Sequence, residues 1–321
     1  MNDQPLSRKT FHVQDYNLGA TLGSGQAFRW VGRNGWWEGV TAGRHARLRQ
    51  IPEGIEAEAP GRVEDWQWLE DYLQVQIDFP AVTGSFPDDE PMQRALQACR
   101  GLRLLRQDPW ECLASFILSS TKQIVQIRQI VAALCDRFGD EIPSFDAETP
   151  ARAFPSWEQL ARVSESELRA CKMGFRAPYL RDTARHLADG KLELQEIKKL
   201  PFAEARAALI ELPGVGPKIA DCALLFGFGF PEAFPVDVWV RKALAQLYFK
   251  RRNPGAKRLE RFVKRHFGPH RGYVQQYLFH HIRMEQGRVA EAPTAPPAPH
   301  AEYRSLRISA RAPAPKARSS A

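Results

Sequence analysis

The chain has 321 residues, 44% of them hydrophobic and 26% charged, with a net charge of +8 and a pI near 9.4. That length supports a globular protein, with two domains the better expectation, and no apolar run approaches the roughly 20 residues of a membrane-spanning helix. The Met-Asn-Asp-Gln start lacks the basic-then-apolar profile of an export signal, and the five scattered cysteines (Cys99, Cys112, Cys135, Cys171, Cys222) form no C-x-x-C pair, zinc set or iron–sulfur signature.

In chain order, Leu22 to Ile51 reads as strands, with Phe28–Val31 and Trp36–Val40 flanking Asn34-Gly35, a tight hairpin turn. Trp66–Leu73 reads as a helix. Thr83–Pro91, with two prolines and three acids, reads as a boundary that continues neither element. Beyond it the apolar period changes from 2 to 3.6. Asp108-Pro109 is an N-cap followed by proline at the first helical position. Ile124, Ile127, Val131 and Leu134 repeat at helical spacing up to Phe138-Gly139. Further helices are expected over Ser156–Ala161, Ser164–Cys171, Pro178–Asp189, Phe202–Glu211, Pro217–Gly227, Val238–Tyr248 and Tyr273–Met284, so this part is expected to be all-helical. The expected organisation is an N-terminal sheet unit over 1–90, a helical unit over 91–285, and a basic, Pro/Ala-rich disordered tail over 286–321.

Charge is concentrated rather than spread. Residues 241–271 carry eleven lysines and arginines against one acid, Glu260. Such a run is either a solvated helix face or the footprint of a polyanion.

The chemistry lies in Leu212-Pro213-Gly214-Val215-Gly216-Pro217-Lys218. A glycine hairpin between two helices presents backbone N–H groups at a helix start with no side chain in the way, which suits a phosphate. Lys218 falls in the first turn of the second helix, where the dipole disfavours a cation and so favours the free amine that a nucleophile needs. Pro235-Val236-Asp237-Val238 places one acid at the next helix entrance. As an N-cap, Asp237 is ordinary; facing an amine, it can also stabilise a developing sugar cation.

These two segments resemble the helix-hairpin-helix glycosylase superfamily. Within it, Ser24-Gly25-Gln26-Ala27-Phe28-Arg29-Trp30, Leu104–Leu113, Ser115–Ser120 and Gly272–Phe279 resemble the 8-oxoguanine DNA glycosylase branch, in the same order from about residue 15 to 285. The resemblance implies an α+β fold, a twisted antiparallel N-terminal sheet packed on an all-α glycosylase core, and a monomer acting on duplex DNA that contains an oxidised purine. No cofactor, metal or membrane is implied, and the expected location is the cytoplasm near the nucleoid, or the nucleus of a eukaryote. It implies that Lys218 attacks C1′ of a flipped nucleotide, with Asp237 stabilising the sugar, and that strand cleavage follows through a Schiff base. Lys218 thus points to a bifunctional glycosylase and lyase. The Gly25 carbonyl is expected at N7–H of the base, Phe279 and Cys222 on its two faces, and Gln275 at its Watson–Crick edge. Gly214, Val215, Gly216 and Lys122 are expected at phosphates, with Phe175 and Arg176 as wedge and opposite-strand reader.

The sequence departs from the branch at Thr121-Lys122-Gln123 and Gln126, where the animal and yeast enzymes carry asparagines and an arginine that read the opposite cytosine; Trp239 and Ile282 replace polar residues. Phe175-Arg176 keeps the aromatic wedge and second arginine, so the opposite-base preference stays open at this point. Two alternatives stay open at this point: a superfamily glycosylase for another lesion, and a non-catalytic DNA-binding module.

Overall fold

The computed structural model describes residues 5–146, 148–250, 252 and 254–287. Arg251 of the basic run, and the expected tail from residue 288 on, lie outside the described residues.

Five antiparallel strands, β1 (Leu6–His12), β2 (Val31–Arg33), β3 (Trp36–Thr41), β4 (Arg44–Ile51) and β5 (Gly54–Pro60), form a sheet in the order β1-β5-β4-β3-β2. The Asn34-Gly35 turn joins β2 to β3 as expected, both residues having positive φ, 50° and 81°. The upstream residues differ from the strand expectation. Leu18–Gly23 is a helix, because the Asn17 side chain accepts from the Ala20 N–H at 2.8 Å and caps it. Phe28–Trp30 is irregular chain leading into β2.

The Thr83–Pro91 segment also differs from expectation. Phe79–Gly84 is helical, and Asp89 caps the Glu90–Ala98 helix with a proline in its first turn, the same device as Asp108 before Pro109–Leu118. Pro91, one of the two prolines that suggested a break, thus lies in the first turn of a helix, where its missing N–H is no loss, while Pro87 stays in irregular chain. The expected helices follow from there to Glu285, joined by the unpredicted short turns Gly174–Arg176 and Leu194–Ile197 and with three further differences. Two-residue strands, Glu141–Ile142 and Ala151–Arg152, pair within this part. The expected Pro217–Gly227 helix is α-helical to Ala223 and then widens into a π turn, Leu224–Phe228, closed by Gly229 at φ 86°. The basic run folds in part as the Ala256–His266 helix, whose Leu259 and Val263 are buried while Lys257, Arg258, Arg261, Lys264 and Arg265 face solvent.

Two cores result. Trp30, Trp37, Leu48, Ile55, Leu69 and Leu73 fill the one beneath the sheet, and the larger one lies among the helices. They interleave, since Leu105 packs in the sheet core while Phe28, Phe79 and Phe86 pack in the helical core. Glu58 is buried on the sheet between Arg8, 2.6 Å away, and Arg47, so its charge is paired on both sides. All five cysteines are buried and unbridged. Among the described residues no helix is long and apolar enough to cross a membrane.

Candidate active site

A cleft of about 1350 Å³ opens where the sheet unit meets the helices. It brings together residues far apart in the chain: Gly25 and Phe28 from the N-terminal unit, Phe116 to Arg128, Lys218 and Cys222, Asp237 to Gln246, and Gln275, Phe279 and Arg283. Among the described residues six lining side chains, Lys122, Arg128, Lys218, Arg241, Lys242 and Arg283, are cationic, and Asp237 is the only carboxylate lining it. Such a cleft concentrates an anionic ligand.

Lys218 is reached through the hairpin. Leu212 N–H donates to Leu209 O and Val215 N–H to Leu212 O at 3.1 Å, turning the chain between the two helices. Gly214 sits at φ 74°, where a Cβ would fall 2.6 Å from the Tyr179 side chain, so the position requires glycine. Thr183 Oγ1 donates to Pro213 O at 2.9 Å and ties the hairpin to the Ala177–Ala188 helix. The Val215 amide is thus spent inside the turn, and its side chain is buried, which contradicts its expected availability to phosphate. Gly216 is the extended N-cap of the lysine helix. The dipole of its own helix is not the only one acting at Lys218. The Lys218 ammonium donates to Ser119 Oγ at 2.9 Å and lies 5.0 Å from the Phe116 ring centroid. Ser119 is the C-cap of Pro109–Leu118, so the ammonium rests at the negative end of a different helix.

Asp237 caps Val238–Tyr248, its Oδ1 accepting from Val240 N–H at 2.7 Å. Lys218 and Asp237 share the cleft but form no ion pair with each other; both act on the Cys222 thiol, which lies one turn beyond Lys218 in the same helix. Burial pushes that thiol up to about 12, against a smaller lowering by the Lys218 charge. Cys222 is therefore a neutral, buried surface rather than a nucleophile.

The base-contact residues expected from the sequence come together as one group. Gln275 is buried, and its Oε1 has no hydrogen-bond partner. A buried amide oxygen left unpaired in the free protein is costly unless a ligand completes it. Phe279 is half-buried on the same helix. Gly25 has φ 88°, and a Cβ there would fall 2.5 Å from Ile124 Cδ1. Its loop is set by Gln26, fully buried, whose Nε2 donates to Thr21 O, Ser24 Oγ and Arg103 O while its Oε1 accepts from Leu105 N–H at 2.8 Å. Gln107 Nε2 donates to Gln26 O at 2.7 Å. These anchors were not singled out from the sequence, where a buried amide looks like a surface one.

At the rim, Phe175 is 53% exposed beside Tyr179. Arg176 differs from its expected role in this conformation. It is buried, donating to Met173 O at 3.1 Å, Ser120 O and Thr121 Oγ1, with its guanidinium 4.2 Å from the Phe175 ring. Lys122 lines the cleft. Gln126 is occupied in a capping box, its Oε1 accepting from Gln123 N–H at 3.1 Å. Arg128, also not singled out from the sequence, lines the cleft with a buried Nε that has no partner.

This fold and site define a base-excision enzyme: residues 114–269 match the HhH-GPD superfamily base excision DNA repair protein family, and the chain belongs to it. Residues 10–113 match the 8-oxoguanine DNA glycosylase N-terminal domain, which places the chain in the 8-oxoguanine branch of that superfamily. Over 290 residues it is 34% identical to "N-glycosylase/DNA lyase OGG1" of Arabidopsis thaliana, covering 83% of this chain and 77% of the relative. A "Probable N-glycosylase/DNA lyase" of Methanothermobacter thermautotrophicus is 36% identical over 219 residues, 62% of this chain and 69% of its own length. Among solved structures, the Clostridium acetobutylicum 8-oxoguanine glycosylase/lyase in complex with DNA containing cytosine opposite 8-oxoG superposes with a TM-score of 0.80 at 29% identity. That likeness covers 89% of this chain and all of the other.

Proposed function

We propose that this protein is a bifunctional DNA glycosylase and abasic-site lyase that excises 8-oxoguanine from duplex DNA, acting as a monomer in base excision repair. The observation that carries the reading is a single cation-lined cleft holding a lysine amine, one carboxylate and a buried amide oxygen without a partner. Its place is with the chromosome, in the cytoplasmic nucleoid or a eukaryotic nucleus.

The damaged nucleotide leaves the duplex so that its C1′ can enter the cleft. Duplex phosphates are met by Lys122 and by the hairpin at Gly214 and Gly216, with Phe175 at the vacated step. The base lies between Phe279 and the Cys222 surface, with Gln275 Oε1 accepting from its Watson–Crick edge and the Gly25 carbonyl accepting N7–H. Guanine carries a lone pair at N7, so the same carbonyl repels it. Lys218 Nζ, in its unprotonated form, attacks C1′; the C1′–N9 bond breaks and the base takes that electron pair and a proton. Asp237 stabilises the positive sugar as the bond breaks. The C1′-bound amine loses one proton to the departing base; its lone pair then breaks C1′–O4′, O4′ takes a proton from water, and the opened sugar is left as a protonated Schiff base. That cation acidifies C2′–H, and removal of this proton expels the 3′-phosphate by β-elimination.

Borohydride reduction tests the nucleophile. Wild-type protein on a duplex containing 8-oxoguanine is expected to give a trapped covalent complex, and Lys218→Gln none. Base release by wild-type protein without any trapped species would mean that water is the nucleophile and the assignment is wrong.

A further inference from the structure

Gln275, Phe279 and Arg283 recur every four residues along the Arg271–Glu285 helix and so share one of its faces. The first two are base contacts in the reading above. Arg283 also lines the cleft, but its guanidinium crosses to the facing loop, where Nη1 donates to Ser24 O at 2.8 Å. The same guanidinium lies 5.4 Å from the Phe279 ring centroid. Gln276 of this helix approaches Ser24 O as well, with Nε2 at 3.5 Å.

The position of these contacts along the loop matters. The Gly25 carbonyl belongs to a peptide unit between two held carbonyls: Ser24 O, held by Arg283, and Gln26 O, held by Gln107. Gly25 itself, at φ 88° and without a side chain, has wide torsional freedom. Without the 2.8 Å bond from Arg283 only the longer 3.5 Å approach of Gln276 remains on Ser24 O, and the Gly25 carbonyl can swing while Gln26 keeps the rest of the loop in place. A carbonyl that must accept N7–H of one base and repel N7 of another discriminates only while its direction is fixed.

We propose that Arg283 is a positioning residue for lesion recognition: through Ser24 O and the Phe279 ring it holds the carbonyl and the aromatic wall of the base site in register, so that preference for 8-oxoguanine over guanine depends on it. This rests on the 8-oxoguanine reading above.

The test compares wild type, Arg283→Met and Arg283→Lys in two assays: single-turnover excision with binding on matched duplexes containing 8-oxoguanine or guanine, and strand cleavage at a preformed abasic site. Arg283→Met is expected to lower the 8-oxoguanine-to-guanine preference by about tenfold or more, the loss of roughly one well-placed hydrogen bond. Arg283→Lys, which keeps a donor within reach of Ser24 O, is expected to recover most of it. Abasic-site cleavage, which needs no base contact, reports that each variant is folded and that Lys218 is in place. Wild-type preference in a folded Arg283→Met protein, or an equal loss in both variants, overturns the inference. Failure of the wild type itself to act on 8-oxoguanine would instead overturn the proposed function.

Discussion

Asp237 carries two duties that a substitution can separate. Its Oδ1 satisfies a helix N-terminal amide, and its charge faces the cleft that holds Lys218. Asparagine caps a helix about as well as aspartate, so Asp237→Asn is expected to melt within a degree or two of wild type while single-turnover excision falls by roughly 10²–10³, the scale for one removed transition-state stabiliser. Asp237→Ala loses the cap as well and is expected to be destabilised by about 1 kcal/mol in denaturant titration. Wild-type excision by the asparagine variant would leave Asp237 a structural cap only. Lys218 and Asp237 were legible in the sequence because each sits in a short local pattern. The Ser119 and Phe116 surroundings of the amine were not, since they lie about a hundred residues upstream and reach it only by packing.

Elements show the same division. The caps read from the sequence, Asp108 and Asp237, each lie three residues from the amide they satisfy. Asp89 before Glu90-Pro91 uses the same device, but a weighting of proline as a breaker hid it. Local chemistry also bears on the opposite strand. Gln126 caps the Ile124–Phe138 helix from within, and Arg176 is turned onto Ser120 and Thr121. With those groups engaged and no asparagine run present, the segment lacks a bidentate reader, a contact worth about 1–3 kcal/mol. Excision of 8-oxoguanine opposite each of the four bases is therefore expected to vary by less than about tenfold. A stronger cytosine preference in that panel would require Arg176 to leave its buried place on binding DNA.

At the scale of the molecule, the cleft lies where the two cores meet, Phe28 packing in the helical core and Leu105 in the sheet core, with the Ser24-Gly25 loop across from the Arg271–Glu285 helix. Its excess of cations sets the salt response. Counterion release predicts that log affinity for undamaged duplex falls with log salt at a slope of about −0.9 per phosphate neutralised, and that Lys122→Gln reduces the slope by about 1. An unchanged slope for that variant, measured by titration across salt concentrations, would remove Lys122 from the phosphate contacts.

By itself the sequence determined the helix-rich class, the Asn34-Gly35 hairpin, the glycine hairpin with its lysine, and the capping aspartate, because each depends on residues within a few positions of one another. Only the tertiary structure decided which groups surround the amine, which amides are spent within the hairpin, and that Gln26, Arg128 and Arg283 belong to the site. The physical reason is that a buried polar side chain takes its role from the partners that packing brings to it, and those partners lie up to 259 residues away along the chain.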